Sequence, residues 1–211
     1  MTTAAPAQAA FRFQESDHTY WLGPRRLESV TEVLAGVGIC DLEWVTEKAL
    51  SRGRAVHAAA HLMDVEQLGA EAFLARYAFH PDLHGYVRAW ERCKTETKME
   101  ILDSEQPRYH PTHLFAGTRD KRARWNKEIF KLDLKTVQQV GAPGPKWAGE
   151  QTSAYDLLEP SEDRVRPDRR ASILLYPNGS WKPEVHHDYS DAAYFLSYLT
   201  TYRRKKFHGI K

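Results

Sequence analysis

Asp133 and Lys135 stand two residues apart in the run Glu128–Val137, and Asp120 lies a short distance upstream. If Glu128–Val137 is a strand, its side chains alternate between faces. Phe130, Leu132 and Leu134 then share one face, while Lys131, Asp133 and Lys135 share the other. The preceding run, Leu114–Arg124, reads as a strand that folds back through Trp125-Asn126-Lys127, where Asn tolerates the left-handed turn conformation. It carries Asp120, so two carboxylates and one ammonium can converge without any long-range assumption. Two adjacent Asp side chains repel and resist ionisation, and a divalent cation relieves that conflict. Oxygen donors with several retained waters suit Mg2+ or Mn2+. Such an ion polarises a phosphoryl oxygen and lowers the pKa of a water, with Lys135 placed beside that water. Read alone, Asp-x-Lys is equally the sequence of a surface ion pair.

The elements that must position these groups follow from the apolar pattern. Phe11–Leu27 reads as a short hairpin with a turn at Gly23-Pro24. Ser29 followed by Glu32 fits a capping box for a helix carrying Val30, Val33, Leu34 and Val37, closed by Gly36 and Gly38. A second helix is expected from about Leu42 to Met63, with Trp44, Val45, Val56, Ala60 and Met63 on its apolar face and Gly53 allowing close packing or a bend. Ala70–Tyr77 and Leu83–Thr95 read as helices interrupted by Pro81. Then the period changes. Met99–Tyr109, Leu114–Arg124 and Glu128–Val137 read as strands, followed by a Gly/Pro loop at Gly141–Lys146. Trp147–Leu158 reads as a helix and Ala171–Tyr176 with Trp181–His187 as a hairpin. Asp191–Lys206 is a last helix capped by Ser190. Helices, three adjacent strands, a helix, two strands and a helix make an α/β or α+β domain with a mixed central sheet flanked by helices.

Composition bounds the rest. The 211 residues suit one domain, expected over 11–211 after a disordered Ala-rich tail at 1–10, with 42% hydrophobic and 27% charged residues. No apolar run reaches the length of a membrane helix, and no signal peptide is legible, so no membrane partner and a cytoplasmic location (bacterial or phage-infected host) are expected. Cys40 and Cys93 are too few for a disulfide framework and form no CxxC pair. There is no GxxxxGK[ST] phosphate loop, hence no ATP-driven step. Net charge is only +2, yet residues 119–135 hold seven basic against three acidic residues. Arg203, Arg204, Lys205, Lys206 and Lys211 add a second cluster. Basic clusters attract phosphate backbones by releasing counterions, and either cluster could also be a solvated surface.

The sequence Ala116-Gly117-Thr118-Arg119-Asp120, then Asp133-Leu134-Lys135-Thr136, then Gln151-Thr152-Ser153-Ala154-Tyr155 resembles the PD-(D/E)XK nuclease superfamily, closest to its RecB-like and lambda-exonuclease-like branch. Arg52-Gly53-Arg54-Ala55-Val56-His57 resembles that branch's helix, Glu105 stands where it carries an acid, and His18-x-Tyr20 with Ser29–Leu34 is similar to the start of phage-type members. Arg119 occupies the place of the family's Pro, which this branch often lacks. The resemblance spans roughly residues 18–200. It implies a restriction-endonuclease-like core in which Asp120 and Asp133 bind the catalytic metal, joined by the carbonyl of Leu134 and by His57. It implies that Lys135 positions and activates the water and that Glu105 binds a second metal directly or through water. Gln151 and Tyr155, one helical turn apart, orient the scissile phosphate or the lysine. The implied activity is a Mg2+- or Mn2+-dependent deoxyribonuclease, an exonuclease acting on free DNA ends in recombination, repair or phage DNA processing. The partners expected are DNA ends, met by Arg119, Lys121, Arg122, Arg124 and Lys131, and a single-strand annealing or other recombination protein, with room for a homo-oligomer.

Other readings stay open on the residues alone. Gln151 and Tyr155 fit an ordinary amphipathic helix, and His57 fits a satisfied core histidine. His57 and His61, at i and i+4, could bind zinc, although Ala58 stands where HExxH needs Glu. His186 and His187 must face opposite ways on a strand, so at most one joins any site. A nuclease-like module that binds DNA or a protein without cutting, and RNA as substrate, are the alternatives in function.

Overall fold

Three short strands open the chain where the sequence suggested two: β1 Phe11–Gln14, β2 Thr19–Leu22 and β3 Arg25–Ser29, an antiparallel meander. Gly23, at φ +57, makes the turn that admits the third strand. The computed structural model describes residues 10–40, 46–158 and 169–210. The expected tail lies outside the described residues except Ala10, and so do Trp44 and Val45 of the expected helix face.

Ser29 ends β3 and caps α1 Val30–Gly36. Its hydroxyl accepts from the Glu32 amide at 3.1 Å, and the Glu32 carboxylate accepts from the Ser29 amide at 3.4 Å. The second helix, α2 Glu47–Val65, starts later than Leu42 because Thr46 caps it, accepting from the Ala49 amide at 3.2 Å. Then come α3 Ala70–Arg76, a 3-10 turn at Pro81–Leu83 and α4 His84–Thr97, which stops at Lys98 in the left-handed region. Strands β4 Glu100–Tyr109, β5 Phe115–Trp125 and β6 Glu128–Thr136 follow, then α5 Ala148–Leu157, β7 Arg169–Leu175, β8 Trp181–His186 and α6 Asp191–Phe207. Ser190 does not cap α6 with its side chain; its hydroxyl donates to Asp188 Oδ1 at 2.6 Å. Among the described residues no helix is long and apolar enough to cross a membrane.

The strands form one mixed eight-stranded sheet, ordered β1-β2-β3-β5-β6-β7-β8, with β4 paired to β5. The pairs β3–β5 and β6–β7 are parallel and the others antiparallel. The helices lie on both faces. Phe130, Leu132 and Leu134 of β6 enter a core with Val56 and Met63 of α2 and Trp90 of α4. Burial of such side chains contributes about 1.5–3 kcal/mol each. Lys131, on the alternate face, reaches Asp156 of α5 at 2.6 Å. Beyond it, α1, α5 and α6 close a second core around Phe115 and Phe195.

One irregularity in the sheet matters most. β5 and β6 pair only from Trp125↔Glu128 to Lys121↔Leu132. Past that point β6 stays with β7 as far as Thr136, while β5 runs on to meet β3 at Phe115 and Ala116. The two strands fork just where Asp120 and Asp133 would next face each other.

Candidate metal centre

At the fork the Leu134 amide has lost its place in the β5–β6 ladder. Asp120 supplies the acceptor: its Oδ2 takes the Leu134 N–H at 2.7 Å. The other oxygen, Oδ1, lies 3.4 Å from His57 Nδ1, on the α2 face turned to the sheet. His57 Nε2 is 2.9 Å from the Leu134 carbonyl. A carbonyl only accepts, so Nε2 carries hydrogen and Nδ1 is the nitrogen presented to the carboxylates. Leu134 thus contributes both of its backbone groups, and its carbonyl, expected on a metal, here accepts from His57.

Glu105 is the third member. Its backbone is left-handed, at φ +52, inside a strand, which is costly for a residue with a Cβ. The pairs Ser104↔Lys121 and Gln106↔Arg119 hold it on either side. Its Oε1 is 3.9 Å from His57 Nδ1, buried, and accepts no hydrogen bond. One donor atom each from His57, Glu105 and Asp120 lie within 4.8 Å of one another, a grouping that could hold a cation. That grouping does not include Asp133, which the sequence placed beside Asp120 as a ligand. Its Oδ2 lies 2.8 Å from Lys135 Nζ.

Lys135 leads to a second chain of contacts. Nζ donates to Gln151 Oε1 at 2.7 Å, and Gln151 Nε2 donates to the Tyr155 hydroxyl at 3.0 Å. The spacing of Gln151 and Tyr155 on α5 therefore serves one hydrogen-bonded file. Gly117 makes room for it: a Cβ there would stand 2.9 Å from Tyr155 Cε1 and 3.2 Å from Val30 Cγ2. Gly53 has no such role, since a Cβ would meet only Thr136 Oγ1 at 3.9 Å.

The charges at this cluster are unbalanced. Burial pushes Glu105 up to about 7, with Asp120 adding to the shift. Burial also pushes Asp133 up to about 6, against the pull of Lys135. Burial would likewise raise Asp120, but His57, Lys135 and the Leu134 amide outweigh it and hold Asp120 below the usual carboxylate range. For His57, burial works downward, and the carboxylates of Asp120, Glu105 and Asp133 overcome it to raise the imidazole to about 9. The cluster wants positive charge, as a proton on Nδ1 or as a metal ion. The buried Glu105 Oε1, which accepts no hydrogen bond, fits the second.

Three of the five basic residues expected to face phosphate, Arg119, Lys121 and Lys131, are buried. Lys121 is 0% exposed, ion-paired to Asp64 at 3.0 Å and donating to Ser104 Oγ at 2.5 Å. Lys131 is 1% exposed, and Arg119, 3% exposed, donates to Asp103 at 2.6 Å. Groups with no free surface have nothing to offer a DNA backbone. Arg122 is half-buried, and Arg124 is exposed and paired with Glu100. At the C-terminus Arg203 binds Glu28, and Lys205 donates to the Gly36 carbonyl; Lys211 lies outside the described residues. His61 turns away from the cluster, its Nδ1 2.7 Å from Ser104 Oγ, so the two histidines do not share a zinc site. His186 meets Ser172 at 3.0 Å while His187 is exposed.

Two neighbours escaped the sequence reading. The Tyr20 hydroxyl lies 2.8 Å from Thr118 Oγ1, and burial, with Glu105 and Asp120 nearby, raises it to about 12. Trp147, at the start of α5, sets its ring against Lys135. Only the resemblance at His18-x-Tyr20 pointed toward the first, and no local signal marked the second.

Fold and site together define a mixed α/β protein with a candidate metal-binding triad of His57, Glu105 and Asp120. No family model and no curated protein matches the sequence. Among solved structures, one titled "Crystal structure of SSO0001" aligns over 83% of this chain and 83% of its own, at 11% identity and a TM-score of 0.37. A likeness that loose carries no argument.

Proposed function

We propose that this chain is a metal-dependent nuclease of the PD-(D/E)XK type, with a restriction-endonuclease-like core, hydrolysing phosphodiester bonds in DNA. One observation carries the reading: at the β5–β6 fork, an acid–histidine cluster of His57, Glu105 and Asp120 adjoins the file Asp133–Lys135–Gln151–Tyr155. Mg2+ or Mn2+, held by His57 Nδ1, Glu105 and Asp120, would supply Lewis acidity toward the phosphoryl oxygen and a more acidic water.

The remaining work falls to the chain's own groups. Lys135, anchored by Asp133 and Gln151, directs an N–H to the attacking water and neutralises charge accumulating on the phosphoryl oxygens. Gln151, tied to Tyr155 one turn along α5, fixes that ammonium. The Leu134 amide and the His57 Nε2–H keep Asp120 and the imidazole in one orientation, so neither reorganises during reaction.

A time course on end-labelled linear, nicked and closed circular DNA with Mg2+ or Mn2+ tests this. Linear DNA is expected to disappear, with Asp133→Ala and Lys135→Ala slower by at least about a hundredfold. Persistence of closed circles places the action at ends, as an exonuclease of recombination, repair or phage DNA processing requires. Wild-type protein that cuts no DNA or RNA form overturns the proposal. A binding module without chemistry finds less support, because the groups that chemistry needs stand together, Lys135 on Asp133 at 2.8 Å beside His57, Glu105 and Asp120.

A further inference from the structure

A lysine ammonium has three N–H donors. Lys135 Nζ commits one to Gln151 Oε1 at 2.7 Å and lies 2.8 Å from Asp133 Oδ2. It also faces an aromatic ring: the Trp147 ring centroid is 4.8 Å from Nζ. The other cation–π contacts among the described residues span 5.4 to 5.9 Å, so this one is the shortest. Trp147 is held in place. It packs, partly buried, on the core of α1, α5 and α6, and its carbonyl accepts from the Gln151 amide at 3.1 Å. Ring and amide therefore sit one turn apart on the same rigid element and close on the same ammonium.

We propose that Trp147 is a positioning residue for Lys135, holding the ammonium by its π-face so that one N–H remains free for the reacting group. An aromatic quadrupole attracts the cation without binding an N–H to a single acceptor atom. An amide or carboxylate in that place would claim the third donor and leave Lys135 fully occupied. The inference rests on the nuclease reading, in which Lys135 acts on water or phosphate.

The test compares Trp147→Phe, Trp147→Leu and Trp147→Gln with protein carrying mono-, di- and trifluorotryptophan at 147, on linear DNA with Mg2+. Trp147→Phe is expected to keep kcat within about threefold. Trp147→Leu and Trp147→Gln should each lose about five- to thirtyfold in kcat, with KM within about twofold. Fluorination, which drains the ring face while keeping its shape, should lower kcat stepwise at constant melting temperature. If Trp147→Leu fails to fold, the fluorinated series decides alone. Unchanged kcat along that series, or a loss in Trp147→Leu that Phe does not rescue, overturns the role of Trp147. Wild-type protein that cuts nothing overturns the nuclease reading instead. The side-chain NMR of Lys135 then decides the geometry: its ε-methylene protons should be shifted upfield by the ring and return to ordinary positions in Trp147→Leu, and their absence of shift in the wild type overturns the contact.

Discussion

His57 donates through Nε2 to the Leu134 carbonyl and so turns Nδ1 toward Asp120 and Glu105, where only a proton or a metal ion makes the contact attractive. This ties cation binding to pH with a definite sign. Glu105 at about 7 and Asp133 at about 6 stand above their ordinary values of 4.5 and 3.8. The folded protein keeps protons that the unfolded chain has released, so both groups lower stability as pH rises through that window. His57, raised from 6.5 to about 9, adds stability below 6.5 and loses it as pH rises to 9. All three trends weaken the metal-free fold toward alkaline pH, and a divalent cation replaces the missing protons. The rise in melting temperature on adding Mn2+ is therefore expected to be larger at pH 8 than at pH 5.5 and to vanish in Asp120→Asn. Equal rises at both pH values would contradict the proton–metal competition.

Elements place these groups, and two of them make separable predictions. Lys121 joins α2 to the β4–β5 pair through Asp64 and Ser104, and Asp64 also accepts from Trp90 and Lys94 of α4. Lys121→Met leaves Asp64 with Lys94 and Trp90 but takes away its second ammonium and the donor to Ser104, and should cost about 1–3 kcal/mol in denaturant unfolding. A surface DNA contact would instead change the salt dependence of binding and leave stability alone. At the β5–β6 turn Asn126 and Lys127 both have positive φ, 50° and 66°, the pattern for which Asn-Gly is preferred. Lys127→Gly should raise the midpoint of thermal unfolding by a few degrees, for about 0.5–1 kcal/mol. This turn shows what was legible in the sequence: Asn126 between two alternating runs gave strand, turn and strand, and Ser29 with Glu32 put the start of α1 near Ser29 or Thr31, where it falls at Val30. The fork was not legible. Alternation in β5 and β6 continues past Lys121 and Leu132 as if pairing continued, and nothing local says that β3 will replace β6 beside β5. The left-handed Glu105 was hidden for the same reason, because a Glu in a strand reads as an ordinary Glu. Gln151 and Tyr155 stood out only through the resemblance, whereas Asp120, Asp133 and Lys135 could be picked out because their spacing is short-range. The burial of Lys121 and Lys131 could not, because it depends on α2 and α5 arriving from far along the chain.

Across the whole molecule the last described helix, α6, meets β3. Arg203 of α6 donates to Glu28 of β3 at 2.8 Å, and Lys206 lies 3.6 Å from the same carboxylate. Burial alone would raise Glu28, but Arg203 outweighs it and holds the carboxyl below 4.5. A depressed acid contributes stability above its unfolded value and loses it as pH falls through the folded one. Glu28→Gln should therefore melt lower than wild type at pH 7, and the gap should close as the solution is acidified below pH 4.5. A gap that persists in acid would mean that the ion pair is not what joins β3 to α6. The fork in the sheet also gives the molecule an internal reporter. The Leu134 amide is bonded to a titrating side chain rather than to a neighbouring strand, so its deuterium exchange rate follows the ionisation and occupancy of Asp120 while the amides of β5 and β6 on the paired side of the fork follow global unfolding. One proton, watched against its neighbours, would register ion loading at the centre in solution, with no substrate present.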